Sequence, residues 1–186
     1  MNILELLEGV IRKPASTLNF ISQEKPVGWA LAIFTASTLL GSLVAEKAVF
    51  EQLPSTPATN PVVQIVVSVV GLFIFSGLLH LLSRIFRGTG DYWGLFSALG
   101  FAQFPGFLSP IAALIKSGGG IAGTVLGGIV SFGSAVWVMV LYVIGLRESR
   151  GITTGAAVLT YIILIMLVAL PIIGVVTVLM VKMGLF

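Results

Sequence analysis

Residues 119–146 read GGIAGTVLGGIVSFGSAVWVMVLYVIGL, a run without a single charged side chain. A helix crossing the hydrocarbon core of a bilayer needs about 20 mostly apolar residues, and this run exceeds that length. Four more runs of the same kind lie around it: Val27–Ala45, Val62–Ser83, Leu95–Ile115 and Ala156–Val181. None of the five contains an acidic residue. Composition agrees, with 57% hydrophobic and only 9% charged residues and a mean hydropathy of +1.11. Soluble domains carry about 25% charged residues, so this chain is too poor in charge to cover a water-facing globule. The sequence predicts an all-α, polytopic membrane helical bundle. It has five transmembrane helices plus an N-terminal amphipathic interfacial helix, in a single membrane domain over residues 1–186.

Outside these runs the longest polar stretch is residues 1–26, shorter than the roughly 50 residues a compact soluble domain needs. The net charge of +3 does not point to nucleic acid. The basic residues sit at the ends of the runs, where membrane topology places them, and no basic cluster interleaves with aromatics. The absence of cysteine removes disulfides, thiolate nucleophiles and thiolate metal sites. There is no His-Glu-x-x-His, no Gly-x-Ser-x-Gly and no pair of intramembrane carboxylates. No enzymatic activity, metal or cofactor is expected, although a Ser–His dyad using His80 stays open. Residues 1–12 carry Glu5 and Glu8 and lack a small-residue cleavage site, so no cleaved secretory signal is expected.

Basic residues also suggest an orientation. Arg12, Lys13, Lys25, Arg84, Arg87, Arg147 and Arg150 fall on one side of five spans, against Lys47, Lys116 and Lys182 on the other. Cytoplasmic connections are enriched in Lys and Arg. The N-terminus is therefore expected in the cytoplasm and the C-terminus outside.

Between Asn2 and Lys13 the apolar residues Ile3, Leu4, Leu6, Leu7, Val10 and Ile11 share one helical arc, opposite Glu5, Glu8 and Arg12. Such a helix lies in the membrane interface or packs on the end of the bundle. Pro14 stops it or starts a second turn. Residues 54–61, with three prolines, read as an external loop. Pro105 and Pro110 make the third run kinked or broken, and Pro171 suggests a kink in the fifth. Gly119, Gly123, Gly127, Ser131 and Ala135 recur every four residues, a small-residue ridge that lets helix backbones approach closely. Its partner is another helix of this chain or a second copy.

The polar residues inside the runs are few. Ser76, His80, Ser83 and Arg87 share one helical face, with Arg84 at its edge. Ionisable residues in spans are functional candidates, and the arginines suit lipid phosphates; equally, these groups serve as interfacial anchors. Gln103, just before Pro105, is expected to bond the carbonyls that the proline releases, or to reach the His80 face.

Several short motifs now stand together. His80-x-x-x-Arg84-x-x-Gly88-x-Gly90 closes the second run, and Ala102-Gln103-Phe104-Pro105 lies early in the third. The fourth leaves through Trp137, Tyr142 and Gly145-Leu146-Arg147-Glu148, followed by Gly151-Ile152-Thr153-Thr154 and Ala156. Over nearly its whole length the chain resembles the Yip-one domain family, membrane proteins named for interacting with Ypt/Rab GTPases. The resemblance implies vesicle trafficking and GTPase binding for eukaryotic members, which use a long N-terminal region. Only about 26 residues precede the first span here by the length argument, so GTPase binding is not carried over. The chain is more similar to compact prokaryotic members, which implies a bacterial or archaeal plasma membrane.

Two readings of function follow. One is a non-enzymatic scaffold or organiser of membrane lipids and protein partners, a second copy of the chain included. The other is a small transporter or channel, carrying a small-molecule substrate along a polar path by Ser76, His80, Arg84 and Gln103.

Overall fold

The structure is a computed structural model that describes residues 2–49 and 60–182. Eight α-helices build it: α1 Ile3–Arg12, α2 Pro14–Glu24, α3 Val27–Val49, α4 Pro61–Ser83, α5 Tyr92–Ala102, α6 Leu108–Gly118, α7 Gly120–Arg150 and α8 Thr154–Lys182. No strand occurs among the described residues. Val62–Phe86, Tyr92–Gly118, Gly120–Arg150 and Thr154–Pro171 are long and apolar enough to cross a membrane, and Val27–Gly41 of α3 is a shorter apolar stretch. The protein is a multi-pass membrane helical bundle.

Prolines decide where several helices begin. Pro14 opens α2 and Pro61 opens α4, at a position whose N–H has no helical partner in any case. Asn60 caps α4 by accepting the Val62 N–H at 2.9 Å. Pro61 thus belongs to a helix and not to the expected loop, whose residues 54–59 lie outside the described residues. Pro110 is also tolerated within the first turn of α6. Pro171 sits inside α8, which continues through it without interruption.

The third segment is broken. α5 ends at Ala102, residues Phe104–Phe107 form a 3₁₀ turn, and α6 resumes at Leu108. In lipid, backbone groups freed by a break must be satisfied within the protein. Gly106 donates to the Gln103 carbonyl at 2.8 Å, and the Ser134 hydroxyl of α7 donates to the Pro105 carbonyl at 2.7 Å.

α5 is the central pillar, with every residue from Gly94 to Ala102 buried. A helix apolar on all sides belongs inside a bundle. On one flank Ala98, Phe101 and Ala102 join α1, α2, α3 and α7 in a core that includes Leu6, Val10, Leu18, Ile21, Ala30 and Leu141. On the other, Leu95, Phe96 and Leu99 join Leu72, Leu79, Leu146 and Leu164 of α4, α7 and α8. Glycine permits the close approaches: a Cβ on Gly94 would lie 2.4 Å from the Ser22 carbonyl oxygen.

α1 and α2 form a hairpin seated on this bundle. Val10 and Leu6 are buried, while Glu8 and Arg12 face outward and pair at 3.1 Å. The apolar face of α1 therefore has a protein partner, and Leu4 and Ile11 remain exposed beside it. Pro14 lies beside Val136, Trp137, Val140 and Ile144, and Ile11 beside Phe104 and Trp137. The α1–α2 turn thus stands alongside the middle of α7.

Candidate functional site

Three chain connections meet at one end of the bundle: α2–α3 with Lys25, α4–α5 with Arg84 and Arg87, and α7–α8 beside Arg147 and Arg150. This basic end is built locally from backbone geometry. α4 stops at Ser83, a 3₁₀ turn covers Arg84–Phe86, and Arg87 takes a left-handed φ of 62°. The Gly88 N–H then donates to the Ser83 carbonyl at 3.0 Å, closing the helix end. A Cβ on Gly90 would lie 1.6 Å from the Ser149 carbonyl oxygen. Only glycine lets this connection press on the end of α7.

Arg150 is what it presses against. Its side chain is buried, with 1% of the residue exposed. Nε donates to Ser83 Oγ at 2.8 Å and Nη2 to the Gly88 carbonyl at 2.7 Å. The Thr89 N–H returns to the Arg150 carbonyl at 3.0 Å. Nη1 is buried with no hydrogen-bond partner, and among the described residues no carboxylate pairs with Arg150.

His80 lies half-buried beside this group. Its Nε2 is 3.5 Å from Arg84 Nη2, so Nε2 is assigned as the acceptor and Nδ1 as the protonated nitrogen. Nδ1 is buried without a partner. The ring meets Tyr92 edge-on at 5.9 Å, and the Tyr92 hydroxyl donates to the Phe73 carbonyl at 3.1 Å. Ser83, besides accepting from Arg150, donates to the His80 carbonyl at 2.9 Å.

Asp91 starts α5, accepting from the Trp93 and Gly94 N–H groups at 3.1 and 3.3 Å, and its carboxylate pairs with Lys25 at 3.2 Å. Burial pushes its carboxyl up, but Lys25 and the two N–H groups outweigh that and hold it below the ordinary aspartate value. Nearby, Asn19 of α2 donates to Glu148 at 3.2 Å, and Glu148 also accepts from Arg147 at 2.9 Å.

The residues singled out by sequence divide between places. His80, Ser83 and Arg84 come together. Arg87 is exposed, because the helix geometry that would align it ends at Ser83. Ser76 is buried with an unpartnered hydroxyl. Gln103 belongs elsewhere: its Oε1 accepts from Tyr142 at 2.8 Å, and Ser134 instead serves the carbonyl at the break. Neither His80 nor Gln103 lines the recesses formed beside Phe20, Trp137 and Tyr161.

In the glycine ridge, Gly123 and Gly127 are buried on α6, where added Cβ atoms would lie 2.4 and 2.5 Å from the carbonyl oxygens of Ile115 and Ala112. Gly119 begins this contact, whereas Ser131 is half-buried and Ala135 exposed. Among the described residues no group of three His, Cys, Asp or Glu could hold a metal ion. Arg150 is the residue that sequence reasoning missed, having counted it only as a loop charge. Its position next to left-handed Gly151 at a helix end is the one local signal.

The model of the Yip1 domain matches residues 9–176. The chain belongs to the Yip1 domain family. No curated protein and no solved structure matches. The matched part of this Yip1-domain protein includes every connection at the basic end. Motifs far apart in sequence are neighbours there: Gly88 and Gly90 sit on Ser149 and Arg150. Within the α7–α8 connection, Thr154 accepts from Arg147 at 3.2 Å.

Proposed function

We propose that this Yip1-domain protein is a non-enzymatic scaffold that gathers lipids and membrane-protein partners at its basic end. The observation that carries this reading is the cross-tying of that end. Arg150 binds the α4–α5 connection, Lys25 binds Asp91, and Asn19 binds Glu148. Segments distant in sequence thereby form one fixed platform, which suits recognition by pre-organised groups. The distribution of basic residues supports a cytoplasmic position for this platform, in a plasma membrane with the N-terminus inside and the C-terminus outside.

The test is photocrosslinking in native membranes from Arg87, on the platform, and from Val67, on the exposed flank of α4. A discrete adduct with a protein partner, a second copy or a lipid headgroup is expected at Arg87 and not at Val67. Equal, diffuse labelling at both positions contradicts the reading.

The broken third segment favours a second reading, a small transporter, because discontinuous helices beside polar groups form solute sites. Against it, Ser134 and Tyr142 already engage the polar groups at the break, which supports the scaffold.

A further inference from the structure

The charges of the basic end do not balance. Arg84 and Arg150 meet there, with Lys25 on the neighbouring connection and Arg87 exposed on the same turn as Arg84, and Arg150 and Arg84 act electrostatically on His80 and on each other. Asp91 is the carboxylate that also acts on this group, and it is already engaged by Lys25. Glu148 is taken by Arg147 and Asn19. Among the described residues Arg84, Arg87 and Arg150 have no carboxylate partner.

A guanidinium withdrawn from water without a counter-charge is costly, and Arg150 has two of its three nitrogens committed to neutral oxygens. The third, Nη1, is sealed from solvent and unpartnered. The Gly88 carbonyl that binds Nη2 belongs to the turn that follows Arg84 and Arg87, and a Cβ on Gly88 would lie 3.3 Å from Arg150 Nε. Arg84 and Arg87 stand exposed at the edge of that turn. The arrangement is a buried guanidinium with one free nitrogen, beside a turn that carries two exposed cations. Arginine forks match the oxygens of phosphate in spacing and charge.

We infer that the α4–α5 connection and the end of α7 form a phosphate-binding site, with Arg84 and Arg87 capturing a phosphate group and Arg150 Nη1 as its inner donor. The ligand is a phosphate-bearing anion, either a lipid headgroup or a free phosphate. The inference deepens the scaffold reading by naming the ligand class, and it rests on that reading.

Native mass spectrometry of the full chain in detergent tests it, with separate titrations of phosphatidate, phosphatidylcholine and inorganic phosphate. Phosphatidate retained over phosphatidylcholine supports a headgroup ligand; equal saturation by inorganic phosphate supports a free phosphate at the same site. Arg84→Gln with Arg87→Gln is expected to weaken retention about tenfold or more. Arg150→Lys, which keeps the charge but not the fork, is expected to weaken it as well. The exposed pair keeps the test decisive if the buried variant does not fold. Retention of neither phosphatidate nor inorganic phosphate overturns the inference, as does a loss equally large for Lys13→Gln, which lies on the α1–α2 turn outside the cluster. Crosslinking at Arg87 can fail while phosphate retention persists, so the two readings fall separately.

Discussion

Arg150 holds the basic end together, and its removal has a definite cost. Arg150→Ala deletes two charge-assisted bonds and leaves Ser83 Oγ and the Gly88 carbonyl facing a void. A loss of about 3 kcal/mol is expected, measured by unfolding in detergent, whereas Arg87→Ala, at an exposed position, should stay within about 0.5 kcal/mol. Asp91 gives a pH signature. Its carboxyl titrates lower in the folded chain than in the unfolded one, so the unfolded state takes up the proton first as pH falls. The stabilisation is whole above the ordinary aspartate range and disappears as pH drops through the lower, folded value. Asp91→Asn keeps the helix cap and removes the pair with Lys25. With the carboxylate 47% exposed, the effect is at most about 1 kcal/mol. The gap in unfolding midpoint between wild type and Asp91→Asn should be present at neutral pH and close below the aspartate range; a gap that widens in acid contradicts the assignment. Helical spacing made the meeting of His80, Ser83 and Arg84 legible in the sequence. It failed at Arg87, where the backbone turns left-handed. It was silent on Arg150, whose partners come from another segment through tertiary packing.

At the scale of helices, apolar length made the runs readable, since lipid tolerates little else. Pro105 signalled a kink or a break in the third segment because it leaves a carbonyl one turn back without its donor, but it could not say which of the two. Pro61, Pro110 and Pro171 show the limit of that signal: near a helix start a proline costs little, and α8 continues through one. The four-residue spacing of Gly119, Gly123 and Gly127 revealed a packing face, but nothing in the spacing named α6 as its partner. Adjacent glycines test that contact. A Cβ on Gly127 meets the Ala112 carbonyl at 2.5 Å, whereas one on Gly128 meets nothing within 4 Å. Gly127→Ala should destabilise by about 1–3 kcal/mol, the usual cost of overpacking. Gly128→Ala should be neutral or stabilising by up to about 1 kcal/mol. Thermal unfolding of the two variants side by side checks this; equal effects would contradict the α6–α7 contact.

For the whole molecule, the exposed large apolar side chains of α7 run from Ile121 to Val140, about 30 Å at helical rise. That matches the hydrocarbon thickness of a bilayer. Beyond Val140 the α2 side of α7 is covered by protein, and the tied connections of the basic end follow. The interior beneath them is filled by α5 and its neighbours, and the polar groups at the break have partners within the chain. The central claim is that this fold organises a surface and conducts nothing. Purified protein reconstituted into sealed vesicles tests it directly, by following entry of ions and small solutes. The account predicts vesicles as tight as protein-free ones, with wild type, His80→Ala and Gln103→Ala indistinguishable. Solute entry through wild type that disappears in either variant would contradict it.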